Sequence, residues 1–298
     1  MSKGKISIIG AGTMGHGIAQ VAAQAGYPVL LYDIERERAE KGLRTIKIYL
    51  DKLAHKGKLE KDTAEKISER ILIATELDEV ADSYFLIEAI REDRVEKIKL
   101  FKECDALCGE HAVMASNTSS IPITDIASGT NHPENVIGMH FMNPVPLMPG
   151  VEIIRGLKTS DETYGKTIKL AEDLSKKPIH SSDKAGFVIN RIMMPLINEA
   201  IGIVEEGTST IEDVDNGAIY CLNHSLGPLT LSDLIGNDTT HHILSVLHGE
   251  LGERFKPAPL LTRMVEAGLL GNKTGAGFYI WQDNKPKEMN KELSGYLK

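Results

Sequence analysis

The chain of 298 residues contains no apolar run near the ~18 residues that a bilayer-spanning helix requires, which excludes a transmembrane helix. Cysteine is scarce. Cys104, Cys108 and Cys221 are odd in number and fit no metal or redox spacing, so they are expected as reduced thiols, and no metal centre is expected. A positive surface is also lacking: the formal net charge of −8 argues against a general nucleic-acid-binding face, while leaving room for a local basic patch that meets an anionic ligand. There is no internal repeat, low-complexity stretch or disordered linker. Met1-Ser2-Lys3-Gly4-Lys5 runs straight into a short apolar segment with neither a signal peptide's apolar core nor an Arg-rich transit pattern, so a cytoplasmic location is expected.

Hydrophobic residues at 42% and charged residues at 26% place the chain among ordinary globular proteins. At roughly 100–200 residues per domain, the length predicts two domains. Residues 5–9 read as a buried strand, and Ile18, Val21, Ala22 and Ala25 then recur at helical spacing up to a stop at Gly26. Residues 28–32 form a second strand closed by Asp33. Helical patterns follow at 35–57, 61–70 and 93–107, with strands at 71–74, 84–90, 112–116 and 136–141. Segments 151–154 and 178–181, around a helix at 162–175, extend the same sheet. Strands alternating with helices predict an α/β Rossmann-type, doubly wound sheet over residues 1–184. From 185 to 298 the pattern predicts an all-helical domain, with helices at 187–206, 211–222, 229–251 and 259–267. The first of these carries Met193, Met194, Leu196, Ile197, Ile201 and Val204, more apolar surface than a small domain needs, and a homodimer interface is the expected explanation.

Gly10-Ala11-Gly12-Thr13-Met14-Gly15 matches G-x-G-x-x-G between a predicted strand and a predicted helix. The first glycine permits a tight turn, the second admits a pyrophosphate against the backbone, and the third lets helix and strand pack closely. The phosphates then meet the positive N-terminus of the helix. Asp33 stands 18 residues past Gly15 at the end of the second strand. A carboxylate there accepts from the ribose hydroxyls and repels a 2′-phosphate, which favours NAD over NADP. Arg36 and Arg38 could serve a 2′-phosphate, but interleaved with Glu35 and Glu37 they read better as a solvated helix face.

Gly138-Met139-His140-Phe141-Met142-Asn143-Pro144 takes a histidine from a strand into a proline-rich loop, and Glu152 follows His140 by twelve residues. Oxidation of a secondary alcohol requires a base for the hydroxyl proton while the hydride leaves, and histidine suits that task near neutral pH. A carboxylate on its second nitrogen would fix the tautomer. On spacing alone, one of ten histidines near a glutamate is more often structural than catalytic.

The fingerprint 10–15, the run Ala115-Ser116-Asn117-Thr118-Ser119-Ser120, the segment 138–146, Gly186-Phe187-Val188-Ile189-Asn190-Arg191, Gly227-Pro228 and Lys273-Thr274-Gly275 appear in the order of a known family. Over nearly its whole length the chain resembles the 3-hydroxyacyl-CoA dehydrogenases, and within them the short bacterial 3-hydroxybutyryl-CoA type. The resemblance implies His140 as general base or acid, Glu152 as its partner, Ser119 on the substrate oxygen near the nicotinamide, and Asn190 holding the substrate carbonyl and the catalytic array. It also places Gly10, Gly12, Thr13, Met14, Gly15, Asp33, Glu92, Lys97, Ser119, Asn143 and Lys273 on the NAD side. Without it, Ser119 is equally a helix cap and Asn190 a buried polar group satisfied by backbone.

Departures from the family pattern fall at three places. Pro149-Gly150 replaces a lysine and a leucine before Val151-Glu152, Met142 replaces a phenylalanine, and Ala185 replaces a proline. The first could reshape the loop that carries Glu152. The locally basic stretch from Lys52 to Lys58 matches the CoA-contacting part of the family, with Lys56 the best positional match; it is equally a helix end with cations at its negative pole. The implied reaction interconverts 3-oxoacyl-CoA and (S)-3-hydroxyacyl-CoA with NAD, and the implied partner is an acyl-CoA. Two other readings stay open: a dehydrogenase of a free sugar acid, of the gulonate type, and a non-catalytic NAD-binding protein of the lens-crystallin kind.

Overall fold

The computed structural model describes residues 3–295, and the chain divides into two compact units, Met1–Phe187 and Val188–Lys298. The division falls three residues beyond the boundary read from the sequence.

The first unit is built in chain order from β1 (Ile6–Ile9), α1 (Thr13–Gln24), β2 (Val29–Tyr32), α2 (Arg36–His55), α3 (Lys61–Glu69), β3 (Ile71–Ile73), β4 (Phe85–Glu88), α4 (Arg94–Cys108), β5 (Val113–Ser116), α5 (Ile123–Ala127), β6 (Val136–Phe141), β7 (Gly150–Arg155), α6 (Asp161–Asp173) and β8 (Lys177–Ser182). The strands form one eight-stranded sheet in the order β3-β2-β1-β4-β5-β6-β7-β8. All neighbours are parallel except β6 and β7. β1 is fully buried because it is covered on both faces, which is why it reads as a continuous apolar run. Alternate side chains serve opposite layers. Ile6 and Ile8 pack with Ile18, Ala22, Ile46 and Leu170 on one face, and Ile9 joins Leu86, Phe101, Met114 and Ile126 on the other. Burying each large aliphatic side chain in these layers stabilises the unit by about 1.5–3 kcal/mol.

α2 is long but buries only Ala39, Gly42, Ile46 and Leu50, spaced three or four residues apart. The rest of its surface is solvated, as its charge pattern predicts. The short helix α5 was not legible in the sequence: five residues are too few for a periodic pattern. Asp183 supplies its missing cap, accepting from the amides of Ile123 (2.9 Å) and Thr124 (2.7 Å).

The second unit contains α7 (Ile189–Glu205), α8 (Ile211–Leu222), α9 (Pro228–Ile235), α10 (Asn237–Leu251), α11 (Pro259–Glu266), β9 (Tyr279–Gln282) and β10 (Lys285–Met289). Two expectations are corrected. The stretch 229–251 is two helices, broken at Gly236, whose φ of +99° belongs to no α-helix. The unit is also not wholly helical, since β9 and β10 form an antiparallel hairpin. Asp233 explains both. Buried at the end of α9, it accepts from Asn237 Nδ2 (2.9 Å), the amides of Phe278 (2.9 Å) and Tyr279 (2.9 Å), and Trp281 Nε1 (2.9 Å). One carboxylate therefore ties the helix break to the base of the hairpin, and a four-donor arrangement that spans 48 residues leaves no local sequence signal.

Candidate active site

The glycine fingerprint turns from β1 into α1, and each glycine answers a different steric demand. Gly10 has φ +99°, and a Cβ there would lie 2.5 Å from the Ala89 carbonyl oxygen. A Cβ on Gly15 would lie 1.7 Å from the Gly10 carbonyl oxygen, so helix and turn meet backbone to backbone. Around a Cβ on Gly12 there is nothing within 4 Å. The one glycine that packs against no protein atom is the one required for close approach of a pyrophosphate. Thr13 and Met14 open α1, and no side chain caps the helix amides, so the positive helix end is available to an anion.

Asp33 leaves β2 beside this turn. Its carboxylate accepts from the amides of Ala11 (2.8 Å) and Glu35 (3.1 Å). Together with Gly10, Gly12 and Tyr32 it lines a cavity of about 580 Å³. Arg36 pairs with Glu40 (3.0 Å), the solvated, ion-paired face expected of it, whereas Arg38, paired with Glu35 (2.9 Å), lines the same cavity as Asp33. These features fit NAD: an open backbone cradle for the pyrophosphate and an anchored acid for the adenosine ribose.

A second constellation joins β4, α4 and the loop after β5. Glu92 Oε1 accepts from Thr118 Oγ1 (2.6 Å), Ser119 N (2.9 Å), Ser119 Oγ (3.2 Å), Ser120 N (3.0 Å) and Ser120 Oγ (3.0 Å). Its other oxygen lies 3.2 Å from Lys97 Nζ. Burial works against the Glu92 anion, but the Lys97 charge and these donors outweigh it and bring the pKa down to about 2. Lys97 was expected on the NAD side. Its ammonium is taken up by Glu88 (2.6 Å) and Glu92 and its side chain is 1% exposed, so it bears on the Ser119 loop through Glu92. Glu88 also accepts from Ser116 Oγ (2.6 Å) and the Ile90 amide (2.7 Å). Burial pushes its pKa up, against the pull of Lys97 and these donors. Ser119 is not the N-cap of α5; that position is Pro122.

The third element is the antiparallel pair β6 and β7, in which His140 and Glu152 stand directly opposite each other. Their side chains therefore share one face of the sheet, and His140 Nδ1 meets Glu152 Oε2 at 2.6 Å. Glu152 is 1% exposed, and the imidazole lies 6.1 Å from the Phe187 ring, centroid to centroid. The Pro149-Gly150 departure does not displace this pair: Gly150 is already the first residue of β7, in register with β8. Asn117 Oδ1 accepts from the Phe141 amide (2.8 Å), joining the end of β6 to the Ser119 loop. Asn143 is exposed in the loop that follows, after which comes a cis peptide to Pro144.

Lys56 is exposed at the C-terminal cap of α2. In the second unit, Asn190 is buried in the first turn of α7, and Lys273 pairs with Asp238. Sequence reasoning passed over Glu88, Asn117 as a strand tether, and Lys176, described below. Glu88 carried one usable signal, a lone acid closing an otherwise apolar strand.

A dinucleotide cradle at the strand ends, with a buried histidine–carboxylate pair on the same sheet, puts the chain in the class of nicotinamide-dependent oxidoreductases. Comparison with known proteins narrows the class. The family description "3-hydroxyacyl-CoA dehydrogenase, NAD binding domain" matches residues 5–184, and "3-hydroxyacyl-CoA dehydrogenase, C-terminal domain" matches residues 186–281. A "Probable 3-hydroxybutyryl-CoA dehydrogenase" of Bacillus subtilis is 47% identical over 280 residues, 94% of this chain and 98% of the relative. One of the same description from Deinococcus radiodurans is 49% identical over 276 residues, 92% of this chain and 99% of the relative. The crystal structure of (S)-3-hydroxybutyryl-CoA dehydrogenase from Ralstonia eutropha superposes with a TM-score of 0.91 at 42% identity, covering 95% of this chain and all of that one. The chain belongs to the 3-hydroxyacyl-CoA dehydrogenase family, with NAD as its cofactor.

Proposed function

We propose that this protein interconverts acetoacetyl-CoA and (S)-3-hydroxybutyryl-CoA, with His140 as the proton-transferring group. The observation that carries this reading is the buried His140–Glu152 pair, 2.6 Å apart across two strands in direct register. Glu152 accepts a hydrogen bond from Nδ1–H, which leaves Nε2 as the basic nitrogen of the neutral ring. In the oxidative direction Nε2 takes the substrate hydroxyl proton, and Glu152 stabilises the imidazolium that forms. NAD supplies the hydride acceptor. In the reductive direction His140 returns the proton to the developing alkoxide.

Ser119, held by Glu92 on a loop tethered to β6 through Asn117, is assigned to the substrate oxygen, with Asn190 as a second contact. Lys56, among Lys52, His55 and Lys58 at the end of α2, is assigned to the phosphates of CoA. Thr13, Met14, Asn143 and Lys273 are assigned to the cofactor side. No helix among the described residues is long and apolar enough to cross a membrane. Of the apolar residues on which a dimer was expected, Met194, Ile197, Ile201 and Val204 are buried and Leu196 is exposed; with Ile192 on α7 and Tyr220 and Leu222 on α8, also exposed, Leu196 is assigned to a homodimer contact.

The test is NADH oxidation with acetoacetyl-CoA, compared with a free 3-oxo acid. His140→Gln should bind NADH as the wild type does and turn over roughly 10²–10⁴-fold more slowly. Full turnover in a folded His140→Gln protein would end the assignment, and equal use of the free acid would remove CoA from it.

A further inference from the structure

The loop 142–149 joins the His140 strand to the Glu152 strand, and its three prolines limit the hydrogen bonds it can make within itself. Pro144, Pro146 and Pro149 have no amide hydrogen. The amides of Leu147 and Met148 both go to the Pro144 carbonyl (2.9 and 3.0 Å). The Pro149 carbonyl accepts from the Lys177 amide (2.7 Å). The carbonyls of Val145 and Met148 are taken by a single side chain from outside the loop, the ammonium of Lys176, at 2.5 and 2.8 Å.

Local backbone structure aims that side chain. After α6 the chain turns at Ser175, with φ +57°, while the Lys176 amide returns to the Ala171 carbonyl (2.8 Å). The turn delivers Lys176 to the loop immediately before β8 begins. Lys176 is 7% exposed, and its polar partners are the two carbonyls. Burial lowers its pKa. On its other side the loop presses on the dinucleotide helix: Val145 is buried, and a Cβ added to Gly17 of α1 would lie 3.0 Å from its Cβ.

We infer that Lys176 is a positioning residue for hydride transfer, its ammonium fixing the Val145–Met148 stretch against α1 and thereby setting the placement of Asn143 and of the strand ends that carry His140 and Glu152. A residue that only filled space would not need to bring an ammonium into a site without a carboxylate partner; an apolar side chain of the same length would do so at lower desolvation cost. The inference rests on the reading of His140 and Glu152 as the reacting pair.

The test compares Lys176→Met, which removes the donors, with Lys176→Arg, which keeps them, using acetoacetyl-CoA and NADH. Lys176→Met should lower kcat roughly 10–100-fold with KM for acetoacetyl-CoA changed by less than about threefold, because misplacement of reacting groups costs rate before it costs binding. Lys176→Arg should recover most of the loss. Amide hydrogen exchange at Leu147 and Met148 should accelerate in Lys176→Met and stay slow in Lys176→Arg. A folded Lys176→Met protein with wild-type kcat overturns the inference, even if its Tm is lower. Should Lys176→Met not fold, Lys176→Gln replaces it: slower turnover together with faster exchange at those two amides supports the inference, and faster exchange at wild-type kcat overturns it. His140→Gln, run alongside, separates the two readings. If it is inactive while Lys176→Met is unimpaired, only the positioning role fails; if it is active, the assignment of the reacting pair fails.

Discussion

Lys97→Met removes an ammonium from between two carboxylates while keeping most of the side-chain volume. Neither Lys97 (1% exposed) nor Glu88 (0%) can be compensated by solvent. Removing one partner of a buried ion pair costs about 3–5 kcal/mol. Glu88 would retain its bonds from Ser116 Oγ and the Ile90 amide, which puts the expected loss near the lower limit, about 3 kcal/mol. The loss must depend on pH. Burial already pushes the Glu88 carboxyl up, and without Lys97 its folded pKa rises further above the unfolded value of about 4.3. A carboxyl raised on folding favours the native state only while protonated, so the penalty is small near pH 4, grows as pH rises, and levels off above the folded pKa. The variant also loses the stabilisation that Lys97 lends to the Glu92 anion. Urea denaturation of wild type, Lys97→Met, Glu88→Gln and the double variant at pH 5 and pH 8 provides the assay. The double variant should be more stable than Lys97→Met at pH 8, because it no longer buries an unpaired anion. A Lys97→Met protein within about 0.5 kcal/mol of wild type at both pH values would refute the reasoning, since that is the range of an indifferent surface change.

Asp33→Ala should move the NADH-to-NADPH ratio of kcat/KM toward NADPH by roughly 10–100-fold, the worth of one or two charge-assisted hydrogen bonds plus the relief of repulsion; a wild type that already prefers NADPH would show that Asp33 is no discriminator. Glu92, with a folded pKa of about 2, lies below its unfolded value, so its stabilisation is complete above about pH 4.3 and is lost as pH falls toward 2. With its side chain 28% exposed, the loss is on the order of 2 kcal/mol after solvent screening, and Glu92→Gln should flatten the acid limb of stability by that amount in pH-dependent urea melts. Glu152→Gln should lower turnover while leaving NADH affinity unchanged in a fluorescence titration, and wild-type turnover would show that the carboxylate does not orient His140.

Much of the first unit was legible because its signals are local. The buried strands read as apolar runs, α2 as an amphipathic stripe, and 10–15 as a fingerprint whose three steric demands recur at Gly10, Gly12 and Gly15. The His140–Glu152 pair sits between local and non-local. The two strands were both legible, but only an antiparallel register turns a spacing of twelve residues into a direct cross-strand pair; a slip of one residue would send Glu152 to the opposite face of the sheet. That is why the histidine read more readily as structural than as catalytic until resemblance to the family was weighed. The Pro149-Gly150 departure left the pair in place because Gly150 already pairs with β8 and the register of β6 with β7 is kept.

What escaped the sequence reading is held together over long separations. Asp233 gathers donors from α10 and the hairpin. Glu88 binds Ser116, 28 residues away, and Lys176 reaches Val145 across 31 residues. Each is a charged side chain in a buried setting, where an unpaired charge would cost several kcal/mol. Read as single residues, these charges look like surface polarity; in the fold each has been drawn inside by several oriented partners. The rule that follows for this chain is a physical one: a charge in an apolar context, such as Glu88 closing β4 or Lys176 between α6 and β8, identifies a point where the backbone cannot satisfy itself. In the first unit those points lie beside the Ser119 loop and the loop that joins His140 to Glu152, the segments on which the proposed chemistry depends for its geometry.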